Sequence, residues 1–394
     1  MHIGIDIRCL AEGRRTGVEE YTLALLQEIF RQDQKNEYIL FFNAWQKKTP
    51  DFSWVSVYPN VTIRTFHFPN KLLNLAIWYL GFPKLDRLIG GVDVFFVPNL
   101  NFVSVSDETK LVVTTHDLSF ELFPETFSLK QRVWHYLVNF RKLVKRADQV
   151  IAVSESTKSD LHELYNVSEK KVAVIPSGIE ERFRKMDRND PELMRVKEKY
   201  NLPYKFILYL GTFEPRKNLR VVLESYAALR LQAGSEVKKH TLVLAGGAGW
   251  KYQEFLLVLE NSSERGSVLL SGFIADEDKV ALYNLASVFV YPSFYEGFGF
   301  PPLEAMACGV PVIVSHTSAL PEVVGSACVM IDPYQPDELY RALEEVLCNP
   351  TFASGLSQNG IRQAKNFSWE KTARATLKLF SACQGQGENS MIRK

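Results

Sequence analysis

Short runs of β-branched and aromatic residues recur along the whole chain, and segments of helical periodicity lie between most of them. No other feature constrains the fold as strongly. A strand followed by a helix returns to pair in parallel, so the alternation specifies βαβ units and parallel sheets covered on both faces. In the first half the predicted strands are His2–Ile7, Tyr38–Asn43, Val61–Phe66, Val92–Val97, Lys110–Thr115, Gln149–Val153 and Val172–Ile175. Val18–Arg31, Leu129–Arg146 and Glu155–Tyr165 are predicted helices. The second half repeats the scheme with strands at Phe206–Gly211, Thr241–Ala245, Val268–Ser271, Val288–Tyr291, Val312–Ser315 and Val329–Ile331. Its helices are Leu219–Arg230, Gln253–Glu260, Lys279–Ala286 and Leu303–Ala307. The expected fold class is α/β, with two doubly wound sheets of Rossmann type.

A length of 394 residues suits two domains of roughly 100–200 residues each. Between the halves, Ser177–Pro203 holds Gly178, a charged run from Glu180 to Asp190, and Pro191, and reads as a linker with a short helix. The expected domains are therefore 1–180 and 181–368. The amphipathic segment Trp369–Cys383 is a terminal helix that either domain can carry, packing back on the first as one arrangement. A net charge of +1 argues against a nucleic-acid partner. Five widely spaced cysteines without a CxxC argue against a disulfide framework or zinc site, and fit a reducing cytosol. MHIGIDIRCL lacks a basic n-region and reads as a strand rather than a signal peptide. No apolar run reaches the ~18–20 residues of a spanning helix. The expectation is a cytoplasmic protein, either soluble or resting on the inner face of a membrane.

Ligands of doubly wound sheets bind beyond the carboxyl ends of the strands, so the loops directly after strands matter most. Glu296–Glu304, EGFGFPPLE, follows one strand and opens a helix. Gly297 and Gly299 allow close backbone approach, and Pro301 and Pro302 suit a first helical turn. The N–H groups of Phe298, Gly299 and Phe300 suit an anion, and the flanking carboxylates suit sugar or ribose hydroxyls. A plain glycine turn with Glu304 complementing the helix dipole accounts for the same residues. Gly211–Asn218, GTFEPRKN, follows another strand. Its Arg216 offers a planar fork and its Lys217 a point charge, which together suit a diphosphate, with a solvated basic turn as the plainer alternative. Arg14-Arg-Thr-Gly17-Val18 and His116-Asp117 also follow strands. Asp276-Glu-Asp278 has a metal-binding form, but it opens a helix, where acidic residues complement the dipole. No metal and no cofactor is expected, because basic groups can neutralise a leaving diphosphate.

Together these segments resemble family 4 of the retaining glycosyltransferases. The resemblance rests on the E-x7-E spacing from Glu296 to Glu304 with AMACGVPVIVS after it, the EPRKN segment, the PSGIE turn, His116 and the Gly17 loop, and spans essentially the whole chain. It implies the GT-B fold, two facing Rossmann-like domains. It implies that Glu296 holds donor-sugar hydroxyls, supported by the N–H groups of Phe298 to Phe300, and that Glu304 binds the ribose. Lys217, helped by Arg216, would stabilise the leaving diphosphate, and Gly17 would approach it from the first domain. Gly272 and Phe273 would line the base pocket, and His116 would lie beside the donor sugar. Many relatives carry Arg where this chain has Thr212, so Arg216 is expected to supply that charge. The GTxEPRKN form resembles bacterial polysaccharide mannosyltransferases, which implies GDP-mannose.

The expected function is retaining transfer of a hexose, mannose from GDP-mannose, to a glycan or lipid-linked acceptor in cell-surface polysaccharide synthesis. Front-face attack is the mechanism the resemblance implies, with the departing phosphate oxygen helping to deprotonate the acceptor. A same-fold epimerase or phosphorylase, and a non-catalytic nucleotide-sugar-binding protein, are the alternatives. On the acceptor side, Asn70–Gly90 mixes Leu, Ile, Trp78 and Tyr79 with Lys71, Lys84 and Arg87. Lys130, Arg132, Arg141, Lys142, Lys145 and Arg146 follow in a basic helix. These segments suit a membrane surface or a lipid-linked acceptor, and they equally suit helices that cover a sheet with solvated faces.

Overall fold

The structure is a computed structural model that describes residues 1–12, 17–45, 50–232, 234 and 237–391, with the backbone alone described at 12 and 384–391. The chain divides into two units. The first comprises Met1–Leu118, Leu129–Gly178 and Ser368–Lys394, and the second Ser119–Ser128 and Ile179–Phe367.

The first unit holds β1 (His2–Asp6), β2 (Glu37–Asn43), β3 (Val61–Phe66), β4 (Val94–Val97), β5 (Lys110–Thr115), β6 (Gln149–Ala152) and β7 (Val172–Val174). They form one parallel sheet in the order β3-β2-β1-β4-β5-β6-β7. The second unit holds β8 (Phe206–Leu210), β9 (Thr241–Ala245), β10 (Val268–Gly272), β11 (Val288–Tyr291), β12 (Val312–Ser315) and β13 (Val329–Ile331). Its parallel order is β10-β9-β8-β11-β12-β13. Every strand read from the sequence is present, with ends that differ by one or two residues at most.

The strand sequences explain their places. β4, β8, β11 and β12 are buried at every residue, as central strands covered on both faces must be. β3 lies at an edge, and its pattern VTIRTF leaves Thr62, Arg64 and Thr65 exposed. Helix ends are set by short polar caps. Ser154 accepts from the Thr157 N–H at 3.1 Å, and Asp190 accepts from the Glu192 N–H at 3.0 Å with Pro191 at the first turn. Such a cap stabilises its helix by about 1 kcal/mol.

Three local readings change. Leu129–Arg146 is two helices, Leu129–Val138 and Phe140–Arg146. Asn139 between them sits at φ 51°, a left-handed conformation that asparagine tolerates, and its side chain accepts from the Lys142 N–H at 3.1 Å. The segment read as a linker is pinned to the second unit. Arg182 pairs with Asp276 at 2.8 Å, while Arg195 and Lys199 reach Asp278 at 2.5 and 2.6 Å. Finally, Pro336–Cys348 and Pro350–Ala364 are helices that the strand-centred reading did not single out. The first buries Leu339, Ala342, Leu343 and Val346, which is the spacing of one helical face.

The terminal helix, Trp369–Met391, belongs to the first unit. Its Phe380 meets Phe96 of β4 edge-on at 5.3 Å, and its Trp369 meets Tyr21 at 5.6 Å. A Cβ at Gly178 would lie 2.1 Å from the Trp369 backbone nitrogen, so the chain passes here only as glycine. Among the described residues, no helix is long and apolar enough to cross a membrane. Phe380 is fully buried, so Phe380→Ala is expected to destabilise the first unit by about 3–5 kcal/mol in urea unfolding. A loss below about 1 kcal/mol would contradict this docking of the helix.

Candidate active site

In the second unit the chain builds β8, β9 and β10 outward, then crosses back to lay β11 on the other flank of β8. The order therefore reverses between β8 and β11. Loops leaving adjacent strands at such a point diverge and open a crevice beyond their carboxyl ends. The EPRKN segment leaves β8 and the EGFGF segment leaves β11. Topology makes them neighbours although 79 residues separate Lys217 from Glu296.

Lys217 Nζ donates to Glu296 Oε1 at 2.5 Å and to the Tyr291 hydroxyl at 2.7 Å. The Arg216 guanidinium lies 3.2 Å from Glu296 Oε2 and 3.1 Å from Glu214, and donates to the Tyr295 carbonyl at 2.5 Å. Lys217 and Glu296 are both buried. Two cations thus converge on one carboxylate. Asn218 closes the turn at φ 56° and donates its side-chain amide to the Pro333 carbonyl at 2.7 Å, which starts the helix Leu219–Gln232. On the other loop, the Glu296 N–H donates to Ser318 Oγ at 2.8 Å, and Ser318 itself sits at φ 54°.

Burial alone would raise the pKa of Glu296. The charges of Lys217 and Arg216 outweigh it and hold the carboxyl down at about 2. Lys217 is lowered from the ordinary lysine value, first by burial and then by the charge of Arg216, with Glu296 only partly opposing. Burial is thus the main reason the charged form of Lys217 is disfavoured, and Glu296 and Glu214 together match the charges of Lys217 and Arg216.

Gly299 starts the helix Phe300–Ala307 at φ 112°, and a Cβ there would meet Leu320 Cδ2 at 2.8 Å. Phe298 packs its ring against Phe300 at 5.2 Å and Phe367 at 5.7 Å. Glu304 is buried beyond the first turn of this helix, and its Oε2 accepts from the Tyr283 hydroxyl at 2.7 Å.

Comparisons with known proteins identify the family of the chain. Residues 15–183 match the family described as Glycosyltransferase Family 4, and residues 190–363 match Glycosyl transferases group 1. The O-antigen chain mannosyltransferase B of Escherichia coli is 34% identical over 69% of this chain and 70% of that protein. The chain belongs to glycosyltransferase family 4. The serotype-specific mannosyltransferase WbdA of Escherichia coli is 33% identical over 69% of this chain, and the match spans only 33% of WbdA. Anabaena HepE, solved with UDP and glucose, superposes with a TM-score of 0.70 over 96% of this chain and 99% of that one at 18% identity, which supports the GT-B fold.

The remaining residues expected in this family 4 transferase fall as follows. Thr212 is exposed, and its carbonyl accepts from the Tyr209 hydroxyl at 3.4 Å. Gly272 ends β10 at φ 72°, beside a register shift against β9, and Phe273 next to it is 76% exposed. In the first unit, His116 follows β5. Its Nε2 lies 2.8 Å from the Pro98 carbonyl, and Tyr21 meets its ring edge-on at 4.6 Å. Burial lowers its pKa and favours the neutral imidazole. Gly17 is the first residue of the helix Gly17–Gln32, while Arg14, Arg15 and Thr16 lie outside the described residues. The carboxylates of Asp276 and Asp278 are both held by basic side chains, and Asp278 also accepts from the Tyr200 hydroxyl.

Sequence reading missed Tyr291, Glu214, Ser318 and Gly246. Tyr291 was legible as a hydroxyl ending the apolar strand VFVY, shortly before the EGFGF loop. A Cβ at Gly246 would lie 2.0 Å from the Gly211 carbonyl oxygen, so the loop after β9 presses on the one after β8. Replacing Glu296 with Gln leaves the buried Lys217 without its carboxylate, while Arg216 keeps Glu214, at a cost of about 3–5 kcal/mol near neutral pH. The folded pKa of Glu296 lies below its ordinary 4.5. Its contribution is therefore complete above pH 4.5 and lost as the pH falls toward 2. Urea unfolding of wild type and Glu296→Gln should show a gap that narrows across that window, and a pH-independent gap would contradict the pairing.

Proposed function

We propose that this glycosyltransferase is a retaining mannosyltransferase that moves mannose from GDP-mannose to a glycan or lipid-linked acceptor in cell-surface polysaccharide synthesis. The observation that carries the reading is the cluster of Arg216 with the buried pair Lys217 and Glu296 beyond β8 and β11. Support for the sugar and the process comes from relatives named as O-antigen and serotype-specific mannosyltransferases.

As the bond from C1 to the diphosphate oxygen breaks, negative charge grows on the leaving group. In this reading Lys217 and Arg216 meet that charge from fixed positions, without reorganisation and without a metal ion. Glu296 has two roles. It holds the two cations in place, and its remaining lone pairs accept hydroxyls of the sugar. Glu304 takes the ribose hydroxyls, Gly272 and Phe273 flank the base, and the amides of Phe298 to Phe300 support the sugar. Gly17 contributes through its backbone amide. His116 contributes through Nδ1 or its backbone carbonyl, since Nε2 is committed to Pro98. The acceptor oxygen bonds to C1 on the face the diphosphate leaves, and its proton passes to the departing phosphate oxygen, which retains the anomeric configuration. A same-fold epimerase or phosphorylase would turn over without a glycan acceptor.

Purified protein is expected to be stabilised more by GDP-mannose than by UDP- or ADP-sugars in a thermal-shift series, and to transfer mannose in the presence of EDTA. Stabilisation by a UDP-sugar alone would remove the donor assignment. Glu296→Ala is expected to lower transfer by on the order of 10²-fold or more while GDP binding survives. Lys217→Ala weakens both. Equal loss of GDP affinity in the two variants would contradict this division of roles between Lys217 and Glu296.

A further inference from the structure

One face of the first unit differs from the rest of the surface. The helix Asn70–Leu80 buries only Leu73 and Ile77, which leaves Leu72, Leu75, Tyr79 and Leu80 more than half exposed and Trp78 47% exposed. Phe82, just beyond it, is 63% exposed. The helix Leu129–Val138 buries only Val138, and Leu129, Val133 and Tyr136 project from it. An apolar set of this extent marks a surface that is covered in use.

Charge is segregated on the same elements. Residues 70–84 and 129–146 carry Lys71, Lys84 and the six basic residues from Lys130 to Arg146, with no Asp or Glu, in a chain of net charge +1. The two segments share one cavity of about 470 Å³. Trp78, Tyr79 and Leu80 line it from the first segment, and Leu137, Lys142 and Arg146 from the second. Trp134 meets Phe102 of the cavity wall edge-on at 6.2 Å, which ties the second helix to it. Lys84 donates to Ser104 Oγ at 3.1 Å, and Arg146 donates to the Ser106 carbonyl at 3.0 Å and lies 3.4 Å from Asp148. The acidic residue that lines the cavity, Asp107, has a fully exposed side chain 3.9 Å from Arg146.

We propose that this face docks on a bilayer containing anionic phospholipid, with Trp78, Tyr79 and Leu80 in the interfacial layer and lipid phosphate at Lys84 and Lys142. Aromatic and leucine side chains flanked by Lys and Arg, on two segments without Asp or Glu and with Asp107 beside Arg146, match an anionic lipid–water interface in both polarity and charge. A protein partner would have to bring acidic groups to two helices and apolar pockets to each projecting ring, whereas a fluid interface accommodates both at once. The inference deepens the proposed function by naming a surface partner, and it is read independently of the donor.

The test is co-sedimentation with vesicles of phosphatidylcholine alone and of phosphatidylcholine with phosphatidylglycerol. The protein is expected to sediment with the anionic vesicles only, and to be released by high salt. The double substitution Tyr79→Ser with Leu80→Ser, and separately Lys142→Glu, should each weaken vesicle binding roughly tenfold or more, with the melting curve unchanged because these side chains are exposed. Equal binding to neutral vesicles, no binding to anionic ones, or wild-type binding by the variants would overturn the proposal. A solution dimer broken by the same substitutions would assign the face to a second copy and overturn it as well.

Discussion

Lys217 and Glu296 are buried together, with Arg216 beside them largely withdrawn from solvent, where a parallel sheet reverses its strand order, and much of the second unit follows from holding them there. A buried ammonium or guanidinium costs several kcal/mol unless it is paired at good geometry. Glu296 offsets that cost for two cations at once, so both loops must stay in register with each other. The Phe294 N–H donates to the Arg216 carbonyl at 2.9 Å, and Arg216 donates back to the Tyr295 carbonyl. Those two bonds lace the loop after β8 to the loop after β11. Tyr291 stacks on Tyr209 across the two strands at 6.0 Å and offers its hydroxyl to Lys217. The close approaches at Gly246 and Gly299 and the left-handed turn at Ser318 are what such tight loops require.

Much of the architecture was legible because burial on both faces forces strands into continuous apolar runs. FILYL and VFVY cannot be read as helical faces, and they are β8 and β11. The break at Asn139 was not legible from periodicity, since both halves of Leu129–Arg146 keep a helical spacing and the interruption is one left-handed residue. The charged run after Glu180 read as a linker because its partners, Asp276 and Asp278, lie far along the chain. Motif spacing placed Lys217 and Glu296 at the ends of strands. It did not show that they would bond to each other, nor that Arg216 would take the second carboxylate oxygen. That depends on strand order, which composition does not encode locally. The same reasoning recasts Asp276-Glu-Asp278, whose acids anchor the chain through Arg182, Arg195 and Lys199.

The two units handle charge in opposite ways. In the second, the basic side chains at the switch point are largely withdrawn from solvent and matched to carboxylates, Arg216 to Glu214 and Glu296 and Lys217 to Glu296. In the first, basic side chains collect on helices without acids and sit among exposed rings. A chain of net charge +1 thus carries a compact cluster of paired charges in one unit and a broad basic, apolar face in the other. A family 4 transferase whose acceptor is carried by lipid would use both.

If Lys217 and Arg216 meet the leaving diphosphate, a crystal structure of the protein with GDP shows it most directly. The β-phosphate is expected within hydrogen-bond distance of Lys217 Nζ and of the Arg216 guanidinium, with Glu296 still bonded to at least one of them. A diphosphate bound elsewhere, with the 2.5 Å bond from Lys217 to Glu296 unchanged and no phosphate oxygen near either cation, would contradict it.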